Sequence, residues 1–555
     1  MISNLLLKYF YIAFFVFGIS FHVFSQIKYE AENATLSSGL RIEKSISGYS
    51  GTGYVGNFAN DNDKLTFRVQ VSSEAYYKFV ICMATPYGEK TNFISVNGNK
   101  LEFTVALSNL FQEKTIATIK LPAGENVFEI TKSWGWFWVD YISVEKDNSV
   151  TADFNLTEEL VISDASKNTK ALYRFLLDNF QKKNISGVMT LNSFDETNWL
   201  KQQTGKEPAL VGIDFLHCNR AYSWYNDQTP VNDARTWYNK NGIPALCWHW
   251  RDPSRATEEF YTEKTSFDVS KINDSNSAEY KAMISDIDYI AGLLKTLKEE
   301  DIPVLWRPLH EASGGWFWWG AKGADACKKL WQIMFDRMVN YHKLNNLIWV
   351  WTTDTKTGNL DWYPGDNYVD ILGVDIYADK GDFSSQILAF DKIKIDFQGK
   401  KMVTLSECGI VPDPDKLVND KAGWSYFMPW YGDFVQDGSY NPLDHWKKVF
   451  AHDYVITLDE MPDLRTYTAV QLISRQESAS DFNFSVNRLE QIVQVKPVDI
   501  NLEYEVEIYN ITGRLCYKMN SQKGTLSIPV SVLPRGVILV AVKTKERRIS
   551  CKLVI

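Results

Sequence analysis

"VLWRPLHEASGGWFWWG", residues 304–320, begins as an apolar strand and stops behaving like one at Arg307. Val304, Leu305 and Trp306 suit a buried strand. Within five residues follow an arginine, a histidine and a glutamate, and then Trp316, Phe317, Trp318 and Trp319. Upstream, "AEYKAMISDIDYIAGLLKTLKEE" repeats its apolar residues at helical spacing, and "ACKKLWQIMFDRMVNYHKL" does so downstream. The stretch is therefore one strand of an alternating strand–helix array, and its charged end marks the side where chemistry collects.

The same alternation extends to either side. "GVMTLNS", "ALVGIDF", "PALCWHW", "VLWRPLHE", "NLIWVWT", "DILGVDIY", "MVTLSECG" and "YVITLDEM" read as eight strands over residues 155–470. Eight strands alternating with helices over about 300 residues predict an α/β fold, a (β/α)8 TIM barrel. A doubly wound open sheet is the competing fold, weakened because no glycine-rich phosphate loop follows the early strands. Residues 27–147 hold short alternating runs such as "KLTFRVQVSS" and "YYKFVICMA" and predict an N-terminal β-sandwich. Residues 480–555 return to strands and predict a small C-terminal β-sandwich.

Composition narrows the partners. A formal charge of −9 and a pI near 5.5 provide no concentrated basic face, so no nucleic-acid partner is expected. Aromatic residues make up 14% of the chain, with 19 Trp and 28 Tyr, the side chains that stack on sugar rings. Residues 1–25, with Lys8 ahead of an apolar run, read as a secretory signal peptide, an uncleaved membrane anchor being the alternative. The seven cysteines form no Cys-x-x-Cys pair, so neither a zinc site nor an essential disulfide is expected.

Active sites of such barrels lie at the C-terminal ends of the strands. Taken in order, those ends carry Asp214, His249, Arg307, His310, Glu311, Asp375, Tyr377 and Glu407. Glu311 and Glu407 follow the fourth and seventh strands, across the mouth from each other. Paired carboxylates of this kind serve retaining glycoside hydrolysis, one as a protonated acid and the other as an ionised nucleophile. Apolar Trp306 and the Trp316 cluster would desolvate Glu311, and the Tyr377 hydroxyl could stabilise anionic Glu407. Of the four aromatics after Glu311, Trp316 is the expected sugar contact, with Phe317 and Trp318 expected to be core.

"WRPLHEASGGWFWWG", "LGVDIY" and "TLSECG" resemble the signatures of glycoside hydrolase family 26, whose members are mostly retaining endo-β-1,4-mannanases on a TIM barrel. The resemblance implies Glu311 as acid/base and Glu407 as nucleophile. It gives His310, Arg307, Trp316, Tyr377, Asp375 and His249 roles around the sugar being cleaved, and Trp430 in "FMPWYGDF" a stacking role. It implies a mannan, glucomannan or galactomannan as substrate and no catalytic cofactor. Activity on β-1,3-xylan or mixed-linkage β-glucan, or non-catalytic glycan capture at a cell surface, are the alternatives.

"YEAENATLSSG" with Asp140 in "SWGWFWVDYISV" resembles carbohydrate-binding module family 35. The likeness implies a structural calcium held by Glu30, Glu32 and Asp140, and Trp136 as a sugar platform. The tail, "VEIYNITGRLCYKM" through "LPRGVILVAVKTKERRISCKLVI", resembles the sorting domain of Bacteroidetes type IX secretion, with Ile538 where those domains carry an aromatic. It implies type IX machinery as a partner and export beyond the periplasm or to the cell surface. A monomer is expected.

Overall fold

A computed structural model describes residues 27–467 apart from 134, 151–152 and 357, and then 482–487, 492–510, 514–534, 537–545 and 548–554. The expected signal peptide and the expected limits at 470 and 480 lie outside these residues. Among them, no helix is long and apolar enough to cross a membrane.

The N-terminal unit is an antiparallel β-sandwich. One sheet runs in the order Arg41–Glu43, Tyr54–Gly56, Trp138–Lys146, Ala75–Thr85, Ser108–Leu121, with Ile27–Glu30 also on Trp138–Lys146. The other runs Thr35–Leu36, Lys64–Val71, Gly124–Lys132, Lys90–Val96, Asn99–Val105. Strict alternation makes this possible: in Lys64–Val71, Leu65, Phe67, Val69 and Val71 are buried while Lys64, Arg68 and Gln70 face water. Phe67, Phe79, Phe103 and Phe128 fill the space between the sheets.

The second unit contains a closed barrel of eight parallel strands: β1 Asn184–Met189, β2 Leu210–Asp214, β3 Ile243–Cys247, β4 Val304–Arg307, β5 Leu347–Thr353, β6 Ile371–Ile376, β7 Met402–Cys408 and β8 Tyr426–Pro429. Each pairs with the next, and β8 closes on β1 through Ile185–Tyr426 and Ser186–Phe427. Every residue of β5 and of β7 is buried, as a strand covered on both faces requires.

The last strand is not where the apolar pattern puts it. Of "YVITLDEM", only Val455–Ile456 forms a strand, as a short pairing on the first two residues of β1. At Thr457 a capping box with Glu460 turns the chain into a 3-10 turn. The closing strand is the four-residue Tyr426–Pro429, too short to show a period of its own.

The C-terminal region consists of two small antiparallel sheets. Phe482–Asn487, Ile492–Pro497 and Leu526–Pro529 form one, and Leu515–Gln522, Tyr504–Asn510, Val537–Lys543 and Arg548–Val554 form the other. Ile538 is fully buried with Val493, Val506, Ile508 and Val540, so the apolar residue standing in the aromatic's place is a core residue.

Candidate active site

Arg307, the last residue of β4, is the hub of the barrel mouth. Its Nη1 lies 2.8 Å from Asp375 Oδ2 and its Nη2 2.7 Å from Glu407 Oε2, and all three side chains are buried. β6 and β7 are out of step between Val374 and Asp375, so that Asp375 pairs with Glu407 and Ser406 is passed over. Such a bulge re-aims side chains. The Ser406 hydroxyl donates to Asp375 Oδ1 at 2.6 Å. A Cβ on Gly373 would stand 2.3 Å from that hydroxyl, so only glycine fits there.

Glu311 comes from the turn beyond β4. Leu309 and Glu311 both have left-handed backbones, with φ of 52° and 54°. For residues with side chains this costs on the order of 1–3 kcal/mol each, and the surrounding structure must hold them there. One restraint is visible: the Trp319 indole donates to the His310 carbonyl at 2.9 Å. The Trp316 indole donates to Glu311 Oε2 at 3.0 Å, and a Cβ on Gly314 would collide with the Trp316 ring at 2.0 Å.

The two glutamates stand in opposite surroundings. Glu407 receives Arg307 on one oxygen and the Tyr377 hydroxyl on the other. Burial, with the charges of Asp375 and Glu407 adding to it, pushes the Glu311 carboxyl up to about 8. Burial also pushes Asp375 up to about 7, with Arg307 opposing. One oxygen each of Glu311, Asp375 and Glu407 lie within 4.8 Å of one another. Carboxylates this close can hold a metal ion, but here the Arg307 guanidinium already bridges two of the three.

On the other side of the mouth, His249 Nδ1 lies 2.6 Å from Asp214 Oδ2, and His249 Nε2 lies 3.2 Å from His310 Nε2. The Trp430 ring, just past β8, is 5.9 Å from His249 and packs on Tyr431 at 4.7 Å. Of the four aromatics after Glu311, Trp316 is 44% exposed, whereas Phe317, Trp318 and Trp319 are buried. Trp318 donates its indole N–H to the Trp250 carbonyl at 2.6 Å. The barrel mouth thus gathers all the expected barrel residues: Glu311, Glu407, Arg307, Asp375, Tyr377, His249, His310, Trp316 and Trp430. It adds Phe260, 4.9 Å from His249, and half-exposed Tyr261, which bridges to Phe317. Their signal in the sequence is only an aromatic pair in an otherwise polar loop.

In the N-terminal unit, residues 50–52 meet the three expected metal ligands. Ser50 Oγ donates to Glu30 Oε2 at 2.7 Å, the Ser50 amide to Asp140 Oδ1 at 2.9 Å, and the Thr52 amide to Glu32 Oε1 at 2.6 Å. Glu32 Oε2 is buried with no partner among the described residues. Burial, with the Glu30 charge adding to it, pushes Asp140 up to about 6. The cluster is thus a set of carboxylate oxygens short of positive charge, a donor set that suits a hard divalent cation. Trp136 is 70% exposed, beside a cleft of about 240 Å³ lined by Glu43, Asn57, Lys132 and Trp138.

Comparison with known proteins gives three family matches: glycosyl hydrolase family 26 over residues 161–460, carbohydrate binding module family 35 over 27–147, and a secretion system C-terminal sorting domain over 489–555. The chain is 37% identical, over 449 residues, to a mannan endo-1,4-β-mannosidase of Thermothelomyces thermophilus, an alignment covering 79% of this chain and 91% of that one. It resembles the crystal structure of a Podospora anserina GH26-CBM35 β-(1,4)-mannanase, with TM-score 0.54, 35% identity, and 80% and 99% of the two chains covered. It also resembles a β-mannanase from a symbiotic protist of the termite Reticulitermes speratus, solved with a gluco-manno-oligosaccharide, with TM-score 0.54, 46% identity, and 56% and 99% covered.

Proposed function

The chain belongs to glycosyl hydrolase family 26, and on that premise we propose that it is an exported, retaining endo-β-1,4-mannanase acting on mannan, glucomannan or galactomannan. Glu407 attacks the anomeric carbon while Glu311 gives its proton to the departing glycosidic oxygen. Glu311, now a carboxylate, takes a proton from water, which attacks the glycosyl-enzyme and releases Glu407. The observation that carries this reading is the unequal pair: Glu407 has two donors, while Glu311 is half-buried among negative charges and holds its proton to about 8. The short separation also suits retention, for which roughly 5–5.5 Å is needed.

Arg307 holds Asp375 and Glu407 in place, and Tyr377 steadies the nucleophile's charge. His249, His310, Trp316 and Trp430 line the position of the sugar being cleaved. The sorting domain carries the enzyme out through type IX secretion. In the N-terminal module, Glu30, Glu32 and Asp140 would hold a calcium ion that neutralises their mutual repulsion, and Trp136 would stack on polysaccharide.

Product analysis on galactomannan, glucomannan, barley mixed-linkage glucan and β-1,3-xylan tests the reading. Short manno-oligosaccharides from the first two and little from the others are expected. Products from glucan or xylan alone would overturn the substrate, and binding without products from any of them would overturn the enzyme.

A further inference from the structure

His249 and His310 meet nitrogen to nitrogen, Nε2 to Nε2 at 3.2 Å, so one must carry a proton and the other a lone pair. Asp214 decides which. Its Oδ1 accepts the His249 backbone N–H at 3.0 Å and its Oδ2 faces His249 Nδ1 at 2.6 Å. A carboxylate only accepts, so Nδ1 of His249 is an N–H and, in the neutral ring, Nε2 is bare. His310 must then donate from Nε2, which leaves its own Nδ1 a lone pair. That nitrogen is buried and unpartnered among the described residues, and an unpaired acceptor is tolerated there more readily than an unpaired N–H.

We propose that Asp214 is a positioning residue of the reaction: by fixing the proton of His249 it fixes the tautomer of His310, the residue before Glu311. The proposal rests on the reading of Glu311 as the acid. A charged imidazole at 310 would put a cation next to Glu311 and draw its proton away. Burial, with the Arg307 charge adding to it, pushes His310 well below the usual imidazole range. The other titratable groups around the pair leave this arrangement intact. Cys247 is a thiol kept protonated by burial, and His217 and Arg251 stand on the rim beyond Asp214.

Asparagine cannot do the same work. The two N–H groups of His249 address different oxygens of Asp214, and an asparagine oxygen can stand in only one of those places, so the other donor would face an NH2 group. The ring relieves the clash by baring Nδ1 and moving its proton to Nε2, which reverses the bond to His310. Loss of the correct tautomer is the way Asp→Asn acts in serine-protease triads.

The experiment pairs kinetics with histidine NMR on the full-length chain. Asp214→Asn should lower kcat on galactomannan by at least about 10-fold with KM within about twofold, and Asp214→Glu should restore part of it. In wild-type protein labelled with 15N-histidine, His249 should be protonated at Nδ1 and His310 at Nε2 only. A folded Asp214→Asn enzyme with wild-type kcat would overturn the proposal, as would a charged or Nδ1-protonated His310. The NMR result decides the matter if the variants do not fold. It stands apart from the Glu311 reading, which fails instead if the wild type cleaves no glycan.

Discussion

Arg307 Nη2 lies 2.7 Å from Glu407 Oε2, while Glu311 receives no hydrogen bond from that guanidinium and relies on the Trp316 indole. The arginine makes one carboxylate a nucleophile and leaves the other an acid. The alkaline limb of kcat/KM reports that acid in the free enzyme. Activity needs Glu311 protonated, so it should fall as pH rises through about 8. Trp316→Phe removes a donor that favours the carboxylate form, so the limb should move to higher pH. A limb that moves down, or stays, in the variant's pH–rate profile would show that Trp316 does not tune Glu311.

The same shift predicts a stability effect. Glu311 binds its proton more tightly folded than unfolded, so between the ordinary carboxylate range and pH 8 its titration takes stability away as pH rises. Glu311→Gln removes that loss. By calorimetry the variant should melt above the wild type at pH 8, and the gap should close as pH falls toward 4. A gap independent of pH would mean that Glu311 titrates normally in the fold.

A fluorinated mannoside with a good leaving group should trap the glycosyl-enzyme, with the label on Glu407 by peptide mass spectrometry; a label on any other residue refutes the nucleophile. Glu311→Ala should lose polysaccharide hydrolysis by about 10³-fold or more yet keep much of its first step on activated aryl mannosides. Equal collapse on both substrates would remove Glu311 from the acid's role.

Removing divalent ions should destabilise the N-terminal module. EDTA should lower its melting transition and calcium should restore it, while Glu32→Ala, which removes the buried oxygen that has no partner among the described residues, should melt low and ignore both. A wild-type transition unaffected by EDTA would leave Glu30, Glu32 and Asp140 as a hydrogen-bonded cluster only.

How far the sequence is legible depends on the kind of signal each residue gives. β4 and β7 can be read because an apolar run ends abruptly in ionisable groups, and only a strand mouth gives that pattern a purpose. β8 could not be read: four residues ending in proline carry no period, and the more apolar "YVITLDEM" outbid it. Composition cannot tell Trp316 from Trp318, since their difference lies in Gly314 and in the loop of Tyr261, which leave one ring exposed and bury the other. The Asp214–His249–His310 chain was beyond reach for another reason. Its three members come from or just beyond β2, β3 and β4, and their pairing follows from barrel register, which no local pattern encodes.

Cys82, Cys218, Cys247, Cys327 and Cys408 are all buried and unbridged, and burial pushes each thiol up, Cys82 and Cys327 to about 12. At these five positions almost none of the reactive thiolate exists in the folded protein at neutral pH. An exported chain nevertheless meets oxidising surroundings, and it meets them before its core has closed over these sulfurs. Protection is therefore a race: each thiol is safe once the segment that carries it is packed and vulnerable until then. For these five thiols, the speed of folding after translocation sets how long they stay open to oxidation, and reductant should improve the yield of refolding.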